Sequence, residues 1–138
     1  MLNQAPQAWQ ALWGVWRGVL FEGALPRTTK ELLALATASA AGRADLVSLW
    51  RDALLRRGLE AKLLDDVGLG RATSLPKRTR LILSAGARLV ADPQALTEDD
   101  FVQLRRAGLG DAELAELVAT CGVLAALTLV DAALDSER

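Results

Sequence analysis

A helix start is encoded by Leu25-Pro26-Arg27-Thr28-Thr29-Lys30-Glu31-Leu32. Thr28 and Glu31 have the spacing of a capping box, in which the Thr28 hydroxyl accepts a hydrogen bond from the backbone N–H of Glu31 and the Glu31 carboxylate reaches back. The leucine and alanine residues that follow predict a second helix that runs to Gly42, a favourable C-terminal stop. The loop at residues 23–27 ends the first helix.

The rest of the chain is also predicted to be helical. Period-two alternation of apolar and polar residues is scarce, β-branched runs are few, and no Asn-Gly or Asp-Gly hairpin turn occurs. Caps, glycine stops and proline breaks predict six further helices. They are expected from Pro6 to the loop at residues 23–27, Ala44 to Arg57, Glu60 to Val67, Ser74 or Leu75 to Ala91, Glu98 to Ala107 with Thr97 as the cap, and Asp111 to Leu134.

Two helices carry apolar faces rich in large residues. The first places Trp9, Trp13 and Trp16 on one face, which predicts either docking onto the protein's own core or a subunit interface, where aromatic rings are enriched. On the third helix, one apolar stripe is predicted to contain Leu46, Leu49, Trp50, Ala53 and Leu54.

The two halves of the chain share a weak internal repeat. Asp52–Val67 and Phe101–Val118 each contain a helix that ends in basic residues at Gly-Leu, followed within a few residues by a second helix. We interpret this pattern as a duplicated helix-turn-helix unit packed into a bundle. The basic last turns complement the helix dipole.

Length and charge limit the class of protein. A chain of 138 residues that is 51% apolar is expected to form one domain over residues 1–138. Its net charge of -1 argues against binding to nucleic acid or an anionic membrane. The polar segment Met1–Pro6 does not resemble a signal peptide, and the apolar run Leu117–Val130 is shorter than the about 20 residues that span a bilayer. We therefore predict a cytoplasmic protein in which this run is a buried core helix.

The absence of histidine and the single cysteine limit the chemistry. Without histidine there is no Ser-His-Asp or Cys-His catalysis and no ordinary zinc, copper or non-haem iron site, so neither a metal nor a cofactor is predicted. Cys121 alone forms no intramolecular disulfide. Because it lies in the most apolar helix, we expect it to act as a small hydrophobic residue with a raised pKa.

Several segments together resemble a known superfamily, the carboxymuconolactone decarboxylase and alkylhydroperoxidase D-like proteins. They are Leu25–Leu32, Gly42-Arg43-Ala44-Asp45, Gly58-Leu59 and, resembling the peroxidase-related branch, Pro93–Asp100 and Leu104–Leu114. The resemblance implies an AhpD-like helical bundle. It also implies a homo-oligomer, because members of this superfamily bury helical surface between subunits.

The resemblance also implies where a catalytic site would lie. The peroxidase branch is similar in placing a glutamate early in the second helix and Cys-x-x-Cys-x-x-x-His at the start of the third, where two thiols form a disulfide and the imidazole relays protons. The matching pocket positions here are Glu31, Arg43, Leu46 and Trp50. Only the glutamate matches, so the dithiol mechanism is not available to this chain.

Two functional hypotheses follow. The first is a degenerate, non-catalytic member of the superfamily that acts as a structural or interaction protein, or binds a small apolar or carboxylated ligand. The alternative is an enzyme with relocated residues. In one form Glu31 acts as a base and Arg27 and Arg43 clamp a lactone acid; in the other, Cys121 acts as a single-cysteine peroxidase. As a capping residue, Glu31 is explained without catalysis.

Two other segments carry weak signals. Gly68–Thr73 follows a helix instead of a strand and lacks the third glycine of a dinucleotide-binding loop. Lys77, Arg78 and Arg80 form a small basic patch that we interpret as a solvated helix face.

Overall fold

The computed structural model describes residues 6–135 and folds them into seven α-helices. These are α1 (Pro6–Phe21), α2 (Arg27–Ala40), α3 (Ala44–Arg56), α4 (Ala61–Gly68), α5 (Lys77–Ala91), α6 (Glu98–Arg106) and α7 (Asp111–Asp135). No β-strand occurs in this part of the chain, so the prediction of an all-α fold is confirmed. Helix bounds differ from the predicted ones by a few residues at most, with the largest shift at the start of α5.

Helix α2 lies at the centre of the bundle. It packs against α1, α3, α4, α5 and α7. All residues from 30 to 38 are buried, which fits a helix whose apolar residues cover its whole circumference. Two charged side chains, Lys30 and Glu31, are therefore carried into the interior with the apolar ones.

The start of α2 differs from the sequence prediction. The helix begins at Arg27, and the Pro26 carbonyl already accepts from Lys30 N at 3.1 Å. Thr28 therefore lies inside the first turn, and no side chain caps the helix, so the predicted capping box is wrong. The cap predicted at Thr97 is confirmed, since its side chain accepts from the backbone N–H of Asp100.

The α3–α4 and α6–α7 connections share one turn geometry. Gly58 and Gly108 have φ values of 92° and 100°, in the left-handed region that glycine adopts without steric cost. The leucine after each glycine donates its N–H to a buried leucine of the preceding helix, with N–O distances of 3.2 Å and 3.1 Å. The repeated sequence pattern thus encodes a repeated helix-turn-helix turn.

The tryptophans of α1 dock onto the protein's own core. Trp9 and Trp16 are 7% and 2% exposed, and the Trp13 and Trp16 rings lie 5.4 Å and 5.2 Å from the ring of Trp50 on α3. The stripe predicted on α3 is only partly correct. Leu46, Trp50 and Leu54 are buried, but Leu49 lies at the edge of the stripe and is exposed.

Helix α7 is buried on one side only. Its inner side contributes Leu114, Leu117, Cys121, Leu124 and Leu127 to the core, whereas Val118 and Leu129 are exposed. Residues Asp111–Leu134 are long and apolar enough to cross a membrane by length and composition, with a mean hydropathy of 2.1 over a window of 18 residues. A core helix of a soluble protein passes the same test, although only 33% of the apolar window is buried here. The prediction of a buried core helix therefore holds for the inner face alone.

Candidate functional site

The Glu31 carboxylate binds two arginines. Its Oε1 accepts from Arg27 Nε at 2.8 Å and from Arg57 Nη1, and Arg57 Nη2 donates to the Thr28 hydroxyl at 3.2 Å. The glutamate side chain is 5% exposed, whereas both arginines reach the surface. Glu31 therefore joins the start of α2 to the end of α3. With its charge neutralised by two guanidinium groups, it has a structural explanation other than the predicted cap.

The neighbouring residue Lys30 forms a second buried network. Its ammonium group donates to the carbonyl of Val19 in the last turn of α1 and to that of Glu22 just after this helix, and it forms an ion pair with Glu116 of α7. Glu116 also accepts from the backbone N–H groups of Ala24 and Leu25. Lys30 thus binds carbonyls at the end of α1, and Glu116 binds the backbone of the loop that follows.

This network shifts the pKa of Glu116. Burial alone raises the pKa of a carboxyl group, but the bonds from Lys30, Ala24 and Leu25 outweigh it and hold the pKa of Glu116 below its ordinary value. Gly23, in the same loop, has a φ of 109°, and a Cβ there would overlap the Glu116 carboxylate. The loop, α2 and α7 are therefore tightly fitted to one another.

Arg43 lies at the other end of α2 from Glu31. Its Nε donates to Oδ2 of the buried Asp131 at 2.9 Å, which joins the start of α3 to the C-terminal part of α7. At 1.5 Å per residue, the length of α2 separates Arg27 from the region of Arg43 by about 20 Å. The structure does not bring these two arginines together, nor Arg43 to Glu31.

The other two pocket positions carry core residues. Leu46 and Trp50 are 3% and 6% exposed, and Trp50 packs between the rings of Trp13 and Trp16. Neither side chain transfers a proton or exchanges a disulfide. Of the four positions singled out by the resemblance, two therefore carry core residues, and the other two, Glu31 and Arg43, form ion pairs with different partners.

Cys121 lies between helices. It is 2% exposed, and a Cβ added to Gly86 of α5 would lie 3.3 Å from its Sγ, so the thiol packs closely against α5. Desolvation raises the pKa of Cys121 to about 12. Within residues 6–135, no group of three or more His, Cys, Asp or Glu residues is placed to hold a metal ion.

A cleft of about 650 Å³ lies between α2, α4 and α5. Its lining residues are Ala36, Ala40, Val67, Gly68, Leu69, Gly70, Arg71, Ala72, Thr73, Lys77, Arg80, Leu81, Leu83, Ser84, Ala87 and Arg88. Four of them are cationic and none is acidic. This volume lies in the range typical of small-molecule sites, about 300–1,000 Å³.

Sequence reasoning missed this cleft. It took Gly68–Thr73 as a loop without a role and the basic residues of α5 as a solvated face, whereas Lys77 and Arg80 line the cleft. Arg78 of the same patch points away and binds Glu113 of α7. The available signal was the spacing of the polar residues at positions 77, 80, 84 and 88, which share one face of α5.

Solved structures show the same fold. One match is the crystal structure of an uncharacterized peroxidase-related protein from Silicibacter sp. TM1040, with a TM-score of 0.81 and 18% identity over 90% of this chain and 66% of that one. Another is a protein of unknown function from Agrobacterium tumefaciens, suggested to be the antioxidant defence protein AhpD. Its TM-score is 0.81, with 17% identity over 98% of this chain and 92% of that one. A comparison with curated proteins gives no match.

The fold therefore defines an AhpD-like all-α bundle. The family model described as "Carboxymuconolactone decarboxylase family" matches residues 5–75, just over half of the chain. The chain belongs to this family, and the resemblance read from its motifs is confirmed.

Proposed function

We propose that this chain is a family member without dithiol peroxidase activity that binds a small ligand in the cleft between α2, α4 and α5. The observation that carries the proposal is the burial of Leu46 and Trp50 at positions matching those of a thiol and an imidazole in the peroxidase branch. Buried leucine and tryptophan side chains supply neither the thiol that reduces a peroxide nor the imidazole that relays its protons. We further propose that the protein acts in the cytoplasm, without a nucleic-acid or membrane partner.

Cys121 gives little support to a single-cysteine mechanism. The thiolate is the nucleophile in peroxide reduction, and a pKa of about 12 leaves almost no thiolate at neutral pH. The lactone alternative is also weakly supported, because Glu31 and Arg43 are each engaged in a separate ion pair. Turnover of a carboxylated lactone by the purified protein would support that alternative instead.

A thiol titration tests the redox part of the proposal. We expect Cys121 to be unreactive towards an aromatic disulfide reagent in the folded protein and to give one equivalent of reactive thiol after denaturation. Burial keeps the reagent away from the sulfur and disfavours the charged thiolate. Equimolar peroxide should leave that equivalent unchanged.

The control places a thiol at an exposed position of α3, away from the outer face of α7. Leu49 is 41% exposed, so Leu49→Cys in a Cys121→Ser background should react in the folded state. Reaction of native Cys121, with oxidation by peroxide and recovery by a reductant, would contradict the proposal.

We also propose that the protein is a homo-oligomer that uses the outer face of α7. Between Glu116 and Asp131 this helix carries no charged residue, and Val118 and Leu129 are exposed on it. On α1, which packs beside α7, Val15 and Phe21 are also exposed. Such an uncharged face fits a second copy of itself, because an apolar surface is best covered by another apolar surface.

Light scattering of Leu129→Glu tests this interface. We expect the wild-type mass to be a multiple of 14.7 kDa and the variant to shift towards smaller species, because a carboxylate on the α7 face would be desolvated without a partner. Leu69→Glu is the matched control, since Leu69 is 64% exposed against 69% for Leu129 and lies outside α1 and α7. A monomeric wild-type protein, or a Leu129→Glu protein of unchanged mass, would refute this interface.

A further inference from the structure

The floor of the cleft is apolar. Buried Val67 and Leu83 form part of it together with Ala36, and residues 69–73 of the α4–α5 loop line one side. No polar side chain is buried among the lining residues. The interior of the cleft therefore favours an apolar molecular body over a polar one.

The rim of the cleft is positively charged although the whole chain has a net charge of -1. Two of its four cationic residues form ion pairs with carboxylates that do not line the cleft: Arg71 lies 3.9 Å from Asp66, and Arg88 donates to Asp100 at 2.7 Å. Lys77 and Arg80 have no ion-pair partner among residues 6–135. Arg80 Nε donates to the Leu75 carbonyl at 3.1 Å, and this bond orients the Arg80 side chain.

Arg88 and Asp100 form an ion pair with two hydrogen bonds. The Arg88 guanidinium and the hydrogen bonds of the Thr97 cap lower the pKa of Asp100 to about 2, so this carboxylate is ionised under all physiological conditions and holds Arg88. The uncompensated positive charge of the cleft therefore comes from Lys77 and Arg80, one turn apart on α5. An anion between them would gain charge-assisted hydrogen bonds.

We propose that the cleft binds an amphipathic anion, with an apolar body against the floor and an anionic head at Lys77 and Arg80. This inference rests on the proposed function and names the ligand class of the same site. A cation is disfavoured, because no lining side chain carries negative charge. A fully apolar ligand would leave the attraction of the two cations unused.

Calorimetric titration with three ligands of equal chain length tests the ligand class. We expect octanoate to bind the wild-type protein with one site per chain, octan-1-ol to bind about tenfold more weakly and octylammonium to show no binding, because one charge-assisted bond changes affinity by about this factor. Raising the salt concentration should weaken octanoate binding and leave octan-1-ol binding unchanged. Octyl phosphate serves as a second anion and should bind at least as tightly as octanoate.

Two sets of variants test the location. Lys77→Gln with Arg80→Gln should weaken octanoate binding by about tenfold or more and change octan-1-ol binding less than about twofold. Arg56→Gln with Arg105→Gln, both exposed outside the cleft, is the control with the same change of charge.

Ser84→Phe should fill the cleft and abolish binding of both ligands, whereas Ser48→Phe, on an exposed part of α3, should not.

The outcomes separate the ligand class from the proposed function. Equal affinities for octanoate and octan-1-ol, both lost in Ser84→Phe, would overturn the proposal of an anionic ligand. The proposed function as a ligand-binding protein would still stand. Octanoate binding that survives both Ser84→Phe and the double glutamine variant would overturn the location. Absence of binding of all probes to the wild-type protein would overturn this inference and the proposed ligand-binding function together.

Discussion

Replacement of Lys30 by methionine is expected to lower the free energy of unfolding by about 3–5 kcal/mol, the usual cost of removing one partner of a buried ion pair. The Lys30 side chain is fully buried and donates to the carbonyls of Val19 and Glu22 at the end of α1 and just after it, as well as to Glu116. Methionine fills a similar volume but donates no hydrogen bond. The variant therefore leaves the Glu116 charge and the carbonyls of Val19 and Glu22 without their cation.

Urea unfolding followed by circular dichroism measures this loss. Lys62→Met is the matched control, because Lys62 is 83% exposed and pairs with Asp66 at 3.1 Å. Loss of such a surface pair should change stability by less than about 1 kcal/mol. If the two variants were destabilised equally, Lys30 would not be the link between α1, α2 and α7 that the structure indicates.

Acidification should reduce the difference between wild type and Lys30→Met. The pKa of Glu116 is lower in the folded protein than its ordinary value of 4.5. Its contribution to stability is therefore complete above pH 4.5 and is lost as the pH falls through the lowered folded value. A difference that stayed constant down to that range would show that the Glu116 charge is not involved.

Trp50→Ala is expected to destabilise the protein by about 3–5 kcal/mol, the range for removing a large aromatic ring from a core. Trp50 is 6% exposed and contacts the rings of Trp13 and Trp16, so its loss opens a cavity between α1 and α3. The fluorescence of the remaining tryptophans should shift to longer wavelength as water approaches their rings.

Chemical denaturation and emission spectra measure both effects. Leu49→Ala is the neighbouring control, since Leu49 is 41% exposed and its removal should cost less than about 1 kcal/mol. The loss of stability in Trp50→Phe should lie between the losses in Leu49→Ala and Trp50→Ala. Retention of wild-type stability by Trp50→Ala would mean that the position is a ligand pocket and not part of the core, which would reopen the question of chemistry at the family's catalytic positions.

Much of the fold follows from local sequence signals. Glycine stops, the Thr97 cap and the apolar periodicity predicted an all-α chain with nearly the observed helix bounds. The prediction failed at the start of α2, where the geometry set by Pro26 placed the helix start before Thr28. The residues that resemble the family's motif were also identified from sequence, but their partners were not. Arg57 meets Glu31 across 26 residues, and Asp131 meets Arg43 across 88.

The sequence by itself determined the helices, the family and the limits on chemistry, because caps, stops and residue types act within one or two turns of the chain. Only the tertiary structure decided what Lys30 and Glu31 do, that Leu49 and the outer face of α7 are exposed, and that Lys77 and Arg80 border a cleft. The physical reason is that ion pairs, burial and cavities depend on which helix faces meet. That choice is made by packing between residues far apart in the chain.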